Sequence, residues 1–185
     1  MNTKHANNYF DNVRSLFHYY KSLGDGALAQ LKDDEVNWKP DPASNSVAIV
    51  VKHMAGNMLS RWTNFLVEDG EKEWRKRDQE FEETIHDKEN LLATWEKGWA
   101  CLFEAIAPLS AEDMDRIAYI RNEGHSVVEA INRQLGHYAY HTGQLVFLVK
   151  CLRSANWKSL SIPKGNSKAY NKEKFDQEKS RKNFI

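Results

Sequence analysis

His137 and His141 stand four residues apart in a predicted helix, so their side chains lie one turn apart on the same face. Two imidazoles in this arrangement can bind one metal ion from a single helix. A third ligand must come from elsewhere in the chain, and the best candidate is His53 on an earlier predicted helix. His125 lies about 18 Å before His137 along the helix axis, which is too far for the two to share an ion.

Helical periodicity alone does not decide whether the three histidines meet. At about 100° per residue, His137 and His141 lie on the flank of the apolar stripe of their helix. That position suits a metal site in a cleft, or two histidines that are hydrogen-bonded where helices meet; an isolated pair is a weak indication of metal. His53 lies roughly 130° from the apolar centre of its own helix, so it either faces a second neighbour or is exposed. Gly56, on the same face, favours the close approach of another backbone.

A set of three neutral imidazoles suits Zn²⁺, Ni²⁺ or Fe²⁺ and leaves a coordination position open for water or a substrate. Each ligand histidine also needs a hydrogen-bond partner for its second ring nitrogen. Asn57, Gln134 and Gln144 lie one or two helical turns from a ligand, so they are candidates for that role or for substrate contact. The sequence contains no HExxH, P-loop or dinucleotide-binding motif, so it assigns no catalytic residue.

The helices that must position these residues follow from apolar periodicity and from capping residues. Helices are predicted over residues 8–31, from Asn45 or Ser46 to before Gly70, from Asp87 to Ile106, and from about Ser126 to Ser154. A short hairpin is predicted around residues 117–124. The pattern predicts an all-α four-helix bundle over residues 1–163, followed by a polar tail over residues 164–185 that is a candidate for mobility.

Residues 68–87, between the second and third predicted helices, are rich in acidic and basic side chains. We interpret them as a solvated crossover in preference to a binding surface, because runs of charge usually face solvent. Trp74 and Phe81 are expected to pin this segment to the helices.

The composition restricts the location and partners of the protein. Lys plus Arg number 26 and Asp plus Glu number 26, so we expect no nucleic-acid partner. The first ten residues lack the apolar run of a signal peptide, and no apolar stretch reaches the roughly 18 residues of a membrane span. We therefore expect a cytoplasmic protein without a membrane partner, and we interpret Cys101 and Cys151 as two buried thiols in a reducing cytosol.

Several segments together resemble a known family. They read KHMAGN, WTNF, the charged stretch DGEKEWRKRDQEF, HYAYHTGQ and LSIPKG, at residues 52–57, 62–65, 69–81, 137–144 and 160–165. They resemble the DinB-like superfamily of damage-inducible four-helix bundles, and within it the subfamily of unknown function called DUF1572. The resemblance covers most of the chain.

The resemblance implies a long crossover between helices 2 and 3 and a metal site made of one histidine from the second helix and two from the fourth. By position these ligands are His53, His137 and His141. Relatives include transferases that use low-molecular-weight thiols, and many relatives form homodimers.

These implied properties lead to three hypotheses. The first is a metal-dependent enzyme, an S-transferase or hydrolase, that moves a low-molecular-weight thiol to an electrophilic small molecule. Arg61, Arg75 and Arg77 are candidate contacts for an anionic thiol. The simpler interpretation is that these three arginines form salt bridges on the surface. The second is a non-catalytic metal-binding or stress-response protein. The third is a bundle whose histidines only pack between helices.

Overall fold

The computed structural model describes residues 3–181. Within them the chain is mostly helical, with one antiparallel hairpin: α1 (Thr3–Leu28), α2 (Val47–Trp62), α3 (Lys88–Ile106), β1 (Ile117–Ile120), β2 (Glu123–Ser126), α4 (Val127–Arg153) and α5 (Ser167–Phe175). The all-α class is confirmed, and each of these helices is too short or too polar to cross a lipid bilayer. The predicted polar start and polar tail include residues 1–2 and 182–185, which lie outside the described residues.

Side-chain caps place the starts of the helices that carry the candidate site. The hydroxyl of Ser46 and the carboxylate of Asp87 each accept a hydrogen bond from the backbone N–H three residues further on. At the start of α4, Ser126 and Glu129 form a reciprocal capping box. These local hydrogen bonds explain why α2, α3 and α4 begin where the sequence predicts.

The core places α2 beside both α3 and α4. Gly98 lets α3 approach α2 closely, because a Cβ at that position would lie 2.8 Å from the Cα of Ala55. α1 packs along α4, and α4 also contacts α2. Large aromatic side chains fill the space between these helices, with Trp95, Trp99 and Tyr138 fully buried. The two helices that carry the histidine candidates are therefore held side by side.

The charged segment between α2 and α3 is exposed over most of residues 68–87, but some of its charged residues are buried, so the prediction of a solvated crossover holds only in part. Its residues Lys72, Arg75 and Glu80 are only 7 %, 9 % and 6 % exposed. A short 3-10 turn within it, Arg77–Phe81, packs against α2. The charges can be buried because they pair with each other and with groups on α2. Trp74 is exposed and does not pin the segment.

The cysteines and the tail also differ from expectation. Cys101 is half-buried and Cys151 is exposed, so the prediction of two buried thiols is wrong. The reason is helical geometry, because Cys151 follows the buried Leu148 and Val149 and turns away from the core face of α4. In the polar tail, residues 167–175 form α5, all of whose residues are exposed.

Candidate metal centre

Three histidines from α2 and α4 converge beside the core. His53, His137 and His141 each offer one ring nitrogen, and these three atoms lie within 4.8 Å of one another. The Nε2 atoms of His137 and His141 are 3.0 Å apart. The ring centroid of His53 is 4.9 Å from that of His141 and 5.5 Å from that of His137. His53 is only 8 % exposed, which excludes the alternative in which it faces solvent.

α2 can present His53 to α4 because two of its faces are packed. Ala55 lies on the face that meets α3. Asn57, one turn after His53, reaches α4, where its Oδ1 accepts a hydrogen bond of 2.9 Å from the hydroxyl of Tyr138. The face of α2 that carries His53 and Asn57 points away from the apolar stripe of that helix, and it is buried against α4.

Both histidines of α4 are kept neutral by their surroundings. Burial, followed by the nearby His141, His53, Arg61 and Arg75, lowers the pKa of His137 to about 3. Burial also lowers the pKa of His141, although its hydrogen bond with Gln144 opposes the shift. A metal ion binds the neutral imidazole through its lone pair, so both rings are in the state that binding needs.

The distances between the ring nitrogens are compatible with a small divalent ion. Two nitrogens bound to Zn²⁺ in a tetrahedral arrangement stand about 3.3 Å apart, given Zn–N bonds of about 2.0–2.1 Å. The separation of 3.0 Å between the Nε2 atoms of His137 and His141 is close to that value. The donor set and its spacing therefore fit such an ion.

Asn57, Gln134 and Gln144 were the predicted hydrogen-bond partners of the ligand histidines, and of these Gln144 contacts one of them. Its Oε1 lies 2.7 Å from Nδ1 of His141. An amide oxygen only accepts, so Nδ1 of His141 donates and its Nε2 carries the lone pair. This lone pair faces Nε2 of His137, on the side where the three rings meet.

Asn57 and Gln134, the other two predicted partners, do not hydrogen-bond to the histidines within the described part of the chain. Asn57 accepts from Tyr138, whose hydroxyl oxygen in turn accepts a hydrogen bond of 3.0 Å from Nε1 of Trp62. Gln134 is buried beside Arg61 and Trp62, and its amide oxygen has no hydrogen-bond partner there. Asn57 thus supports the residue next to His137, whereas no hydrogen bond joins Gln134 to the three histidines among the described residues.

The partner of His53 is Glu80, a residue that the sequence analysis did not single out. Oε2 of Glu80 accepts a hydrogen bond of 2.9 Å from Nδ1 of His53. Nε of Arg75 donates to Oε1 at 2.7 Å, and Nη2 of Arg75 donates to Oε2 at 3.0 Å. Burial alone would raise the pKa of Glu80, but the hydrogen bonds from His53 and Arg75 outweigh it and lower that pKa. The carboxylate is therefore ionised where it meets the imidazole.

The sequence does contain an indication of this arrangement at Gly56, three residues after His53. A Cβ at Gly56 would lie 2.3 Å from Oε1 of Glu80, so the glycine makes room for a carboxylate and not, as expected, for another backbone. Lys52 holds the same segment, since its Nζ donates to the carbonyl oxygens of Gln79 at 2.5 Å and Glu82 at 3.0 Å. The sequence analysis did not identify Glu80 as a buried residue, because a glutamate in a charged run is usually solvated.

A sequence model of the family described as "Protein of unknown function (DUF1572)" matches residues 4–166. The chain belongs to the DUF1572 family. No curated protein and no solved structure gives a significant match. The matched range, residues 4–166, contains the three histidines and Glu80.

In this DUF1572 protein, two exposed aromatic rings flank the histidine cluster. The ring of Phe81 lies 5.2 Å from that of His53, and the ring of Tyr140 lies 4.9 Å from that of His141. Phe81 is 38 % exposed and Tyr140 is 64 % exposed, so both border solvent. The expectation that Phe81 pins the charged segment is confirmed by its contact with the His53 ring.

The three arginine candidates have different environments in the DUF1572 chain. Arg61 and Arg75 are buried and pair with Glu71 and Glu80 respectively, so neither is the surface arginine that the simpler interpretation supposed. Arg77 is exposed, with its guanidinium 5.3 Å from the ring centre of Phe81 and 4.0 Å from a carboxylate oxygen of Asp78, so the simpler interpretation of a salt-bridged surface arginine fits this residue. Arg77 is therefore the one of the three that stands beside the cluster with its charge accessible.

Proposed function

We propose that this chain is a DinB-like four-helix bundle that binds one divalent metal ion, Zn²⁺, Ni²⁺ or Fe²⁺, through His53, His137 and His141. The observation that carries the proposal is that three ring nitrogens from two helices lie within 4.8 Å of one another. Two further observations support it. The two histidines of α4 are neutral, and two of the three rings have a hydrogen-bond acceptor, Glu80 or Gln144, that orients them.

We further propose that the protein transfers a low-molecular-weight thiol to an electrophile. A bound divalent ion supplies a Lewis acid that lowers the pKa of a thiol beside it. The sulfur of the thiolate forms a bond to an electrophilic carbon, the leaving group departs with the bonding electron pair, and the thiol proton passes to solvent. Among the described residues, the candidate ligand set consists of three imidazoles and no carboxylate, since Glu80 contacts His53 at Nδ1, and such a set favours an anionic partner in the open position.

A cleft that shares one lining residue, Gln144, with the surroundings of the cluster is the candidate space for a small-molecule substrate. This cleft of about 280 Å³ lies between α4 and the start of α2, and its lining includes Gln144, Val50 and Phe147. Gln144 connects the cleft to the cluster, because the same side chain hydrogen-bonds to His141. In our proposal Phe81 and Tyr140 contact the apolar part of a substrate, and Arg77 contacts an anionic group.

Elemental analysis of the purified protein tests the metal site. We expect about one divalent ion per chain in the natural protein, and its loss in His53→Ala, His137→Ala and His141→Ala. His5→Ala is the matched control, because His5 is exposed near the start of α1. Equal metal content in all five proteins would refute the proposed site and leave three histidines that only pack between helices.

An activity assay separates an enzyme from a metal-binding protein that has no catalytic role. Metal-loaded protein is incubated with bacillithiol, mycothiol or glutathione and a haloarene, and the loss of free thiol is followed. We expect turnover that disappears after chelation and in His141→Ala. Tight metal binding without turnover on any of these thiols would instead support a non-catalytic metal-binding or stress-response protein.

We also propose, on the family resemblance, that the protein is a cytoplasmic homodimer. Sedimentation equilibrium on the full chain measures the mass directly. A mass of twice 21.5 kDa supports the dimer, and a mass of 21.5 kDa contradicts it.

A further inference from the structure

We infer that Glu80 is a positioning residue of the metal centre, and that metal binding is thereby linked to the docking of residues 72–84 on α2. The inference rests on the proposed function, because it states how the chain prepares His53 to bind an ion. It assigns a role at the site to a segment whose sequence predicts a solvated connection.

The hydrogen bond between His53 and Glu80 determines which ring nitrogen of His53 carries a proton. A neutral imidazole carries one N–H, and an ionised carboxylate can only accept a hydrogen bond. Since Oε2 of Glu80 lies 2.9 Å from Nδ1 of His53, the proton of the ring belongs on Nδ1. The lone pair is then on Nε2, which is the state in which this nitrogen can bind a metal ion.

The same hydrogen bond fixes the direction of the His53 ring. An imidazole held at one nitrogen by a fixed acceptor cannot rotate freely about its side-chain bonds. Glu80 is fixed because Nε and Nη2 of Arg75 contact its two carboxylate oxygens, and the side chain of Arg75 is itself only 2 % exposed. Arg75 thus supports Glu80, and Glu80 supports His53.

The burial of the Glu80 carboxylate is costly and requires a reason. A buried ion pair is weak evidence for stability, because removing two charges from water is costly. On the same segment, Glu83 pairs with Lys39 near the surface, where less free energy is lost in removing the charges from water. The chain also places Gly56 inside α2, where glycine is unfavourable, and the carboxylate of Glu80 fills the space that this glycine leaves. Positioning the ring of His53 is a function that accounts for both the buried ion pair and the glycine inside α2.

Glu80 also links the histidine cluster to the segment that carries it. Residues 72–84 meet α2 at adjacent positions, through hydrogen bonds to Lys52 and to His53. A metal ion that fixes the ring of His53 favours the docked position of Glu80, and therefore of the segment that carries it. By thermodynamic linkage, the docked segment must equally favour the binding of the ion.

Co²⁺ is a suitable probe, because its visible spectrum reports both occupancy and coordination. We would titrate Co²⁺ into the full-length natural protein and into Glu80→Ala, Glu80→Gln and the control Glu83→Ala. We expect a loss of Co²⁺ affinity of about 10–100-fold in Glu80→Ala, a smaller loss in Glu80→Gln, whose amide oxygen still accepts, and no change in Glu83→Ala. A changed visible spectrum should accompany the loss.

Hydrogen exchange gives the second readout. In the natural protein, Co²⁺ should slow the exchange of backbone amides in residues 72–84, and in Glu80→Gln this protection should be smaller. Because Glu80→Gln keeps the shape and one acceptor oxygen, it is the variant that decides the matter if Glu80→Ala does not fold.

The outcomes distinguish two failures. If His137→Ala abolishes Co²⁺ binding but Glu80→Gln and any folded Glu80→Ala bind it with natural affinity and spectrum, Glu80 is only structural and the inference is overturned. If the natural protein and His137→Ala behave alike, the metal site itself is refuted and the inference falls with it.

Discussion

The carboxylate of Glu80 occupies the space that any side chain at Gly56 would need, since a Cβ there would lie 2.3 Å from Oε1. The carboxylate cannot move aside freely, because Arg75 and His53 hold both of its oxygens in a buried position. A glycine in the second helix and a glutamate in the charged segment are therefore mutually dependent.

Gly56→Ala should for this reason destabilise the protein. We expect the free energy of unfolding to fall by about 2 kcal/mol, less than the full loss of a buried ion pair because the pair is displaced and not removed. Urea unfolding followed by circular dichroism measures the change. Gly136→Ala is the matched control: no atom surrounds its Cβ position within 4 Å, so alanine there should stabilise α4 by about 0.5–1 kcal/mol. A Gly56→Ala protein as stable as the natural one would contradict the arrangement.

The neutral state of His137 makes stability depend on pH. Burial, with neighbouring histidines and arginines, lowers its pKa from 6.5 to about 3 in the folded protein. Below pH 6.5 the unfolded chain binds a proton that the folded chain does not, so the free energy of unfolding falls as the pH drops from 6.5 towards 3. The contribution is fully present above pH 6.5.

His137→Gln, which cannot titrate, should therefore flatten the pH dependence of stability in that window. The measurement is urea unfolding at intervals between pH 4 and 7 with a chelator present, and His5→Gln is the control. A His137→Gln curve parallel to that of the natural protein would show that the histidine is not held neutral.

A bound metal ion should raise thermal stability through the histidine cluster. At about 100 times its dissociation constant, a ligand that binds only the folded state adds about 2.7 kcal/mol. For a chain of this length that corresponds to a rise in Tm of roughly 5–10 °C. We expect Zn²⁺ to produce this rise in the natural protein and in His5→Ala, a chelator to reverse it, and His141→Ala to lack it. An unchanged Tm in the natural protein at millimolar Zn²⁺ argues against the site.

The buried hydroxyl of Tyr138 joins Trp62 to Asn57, both on α2. Tyr138→Phe would leave an indole N–H and an amide oxygen without this partner inside the protein, at a cost of about 1–3 kcal/mol in the free energy of unfolding. Tyr119→Phe removes a hydroxyl from an exposed side chain and should change stability by less than about 0.5 kcal/mol. Chemical denaturation of both variants tests the difference, and equal stabilities would mean that the buried hydrogen bonds are dispensable.

The elements of the fold were predictable where their causes are local. The cap Asp87 was predictable, and the cap of α2 was narrowed to Asn45 or Ser46, of which the structure selects Ser46, because a cap acts within three residues of itself. In the same way, spacing alone placed His137 and His141 on one face of a helix, and their Nε2 atoms are indeed 3.0 Å apart. That these residues bind a metal ion stays a prediction.

The position of His53 depended on which helix its second face meets, and helical periodicity left that face either packed or exposed. The burial of Glu80 was even less predictable, since in sequence it belongs to a highly charged run. Local spacing determined which residues share a helix face, because a helix repeats within a few residues. Only the tertiary structure decided which faces meet and which charges are buried, because the groups that compensate them, His53 and Arg75 for Glu80, come together only when the segment folds onto α2.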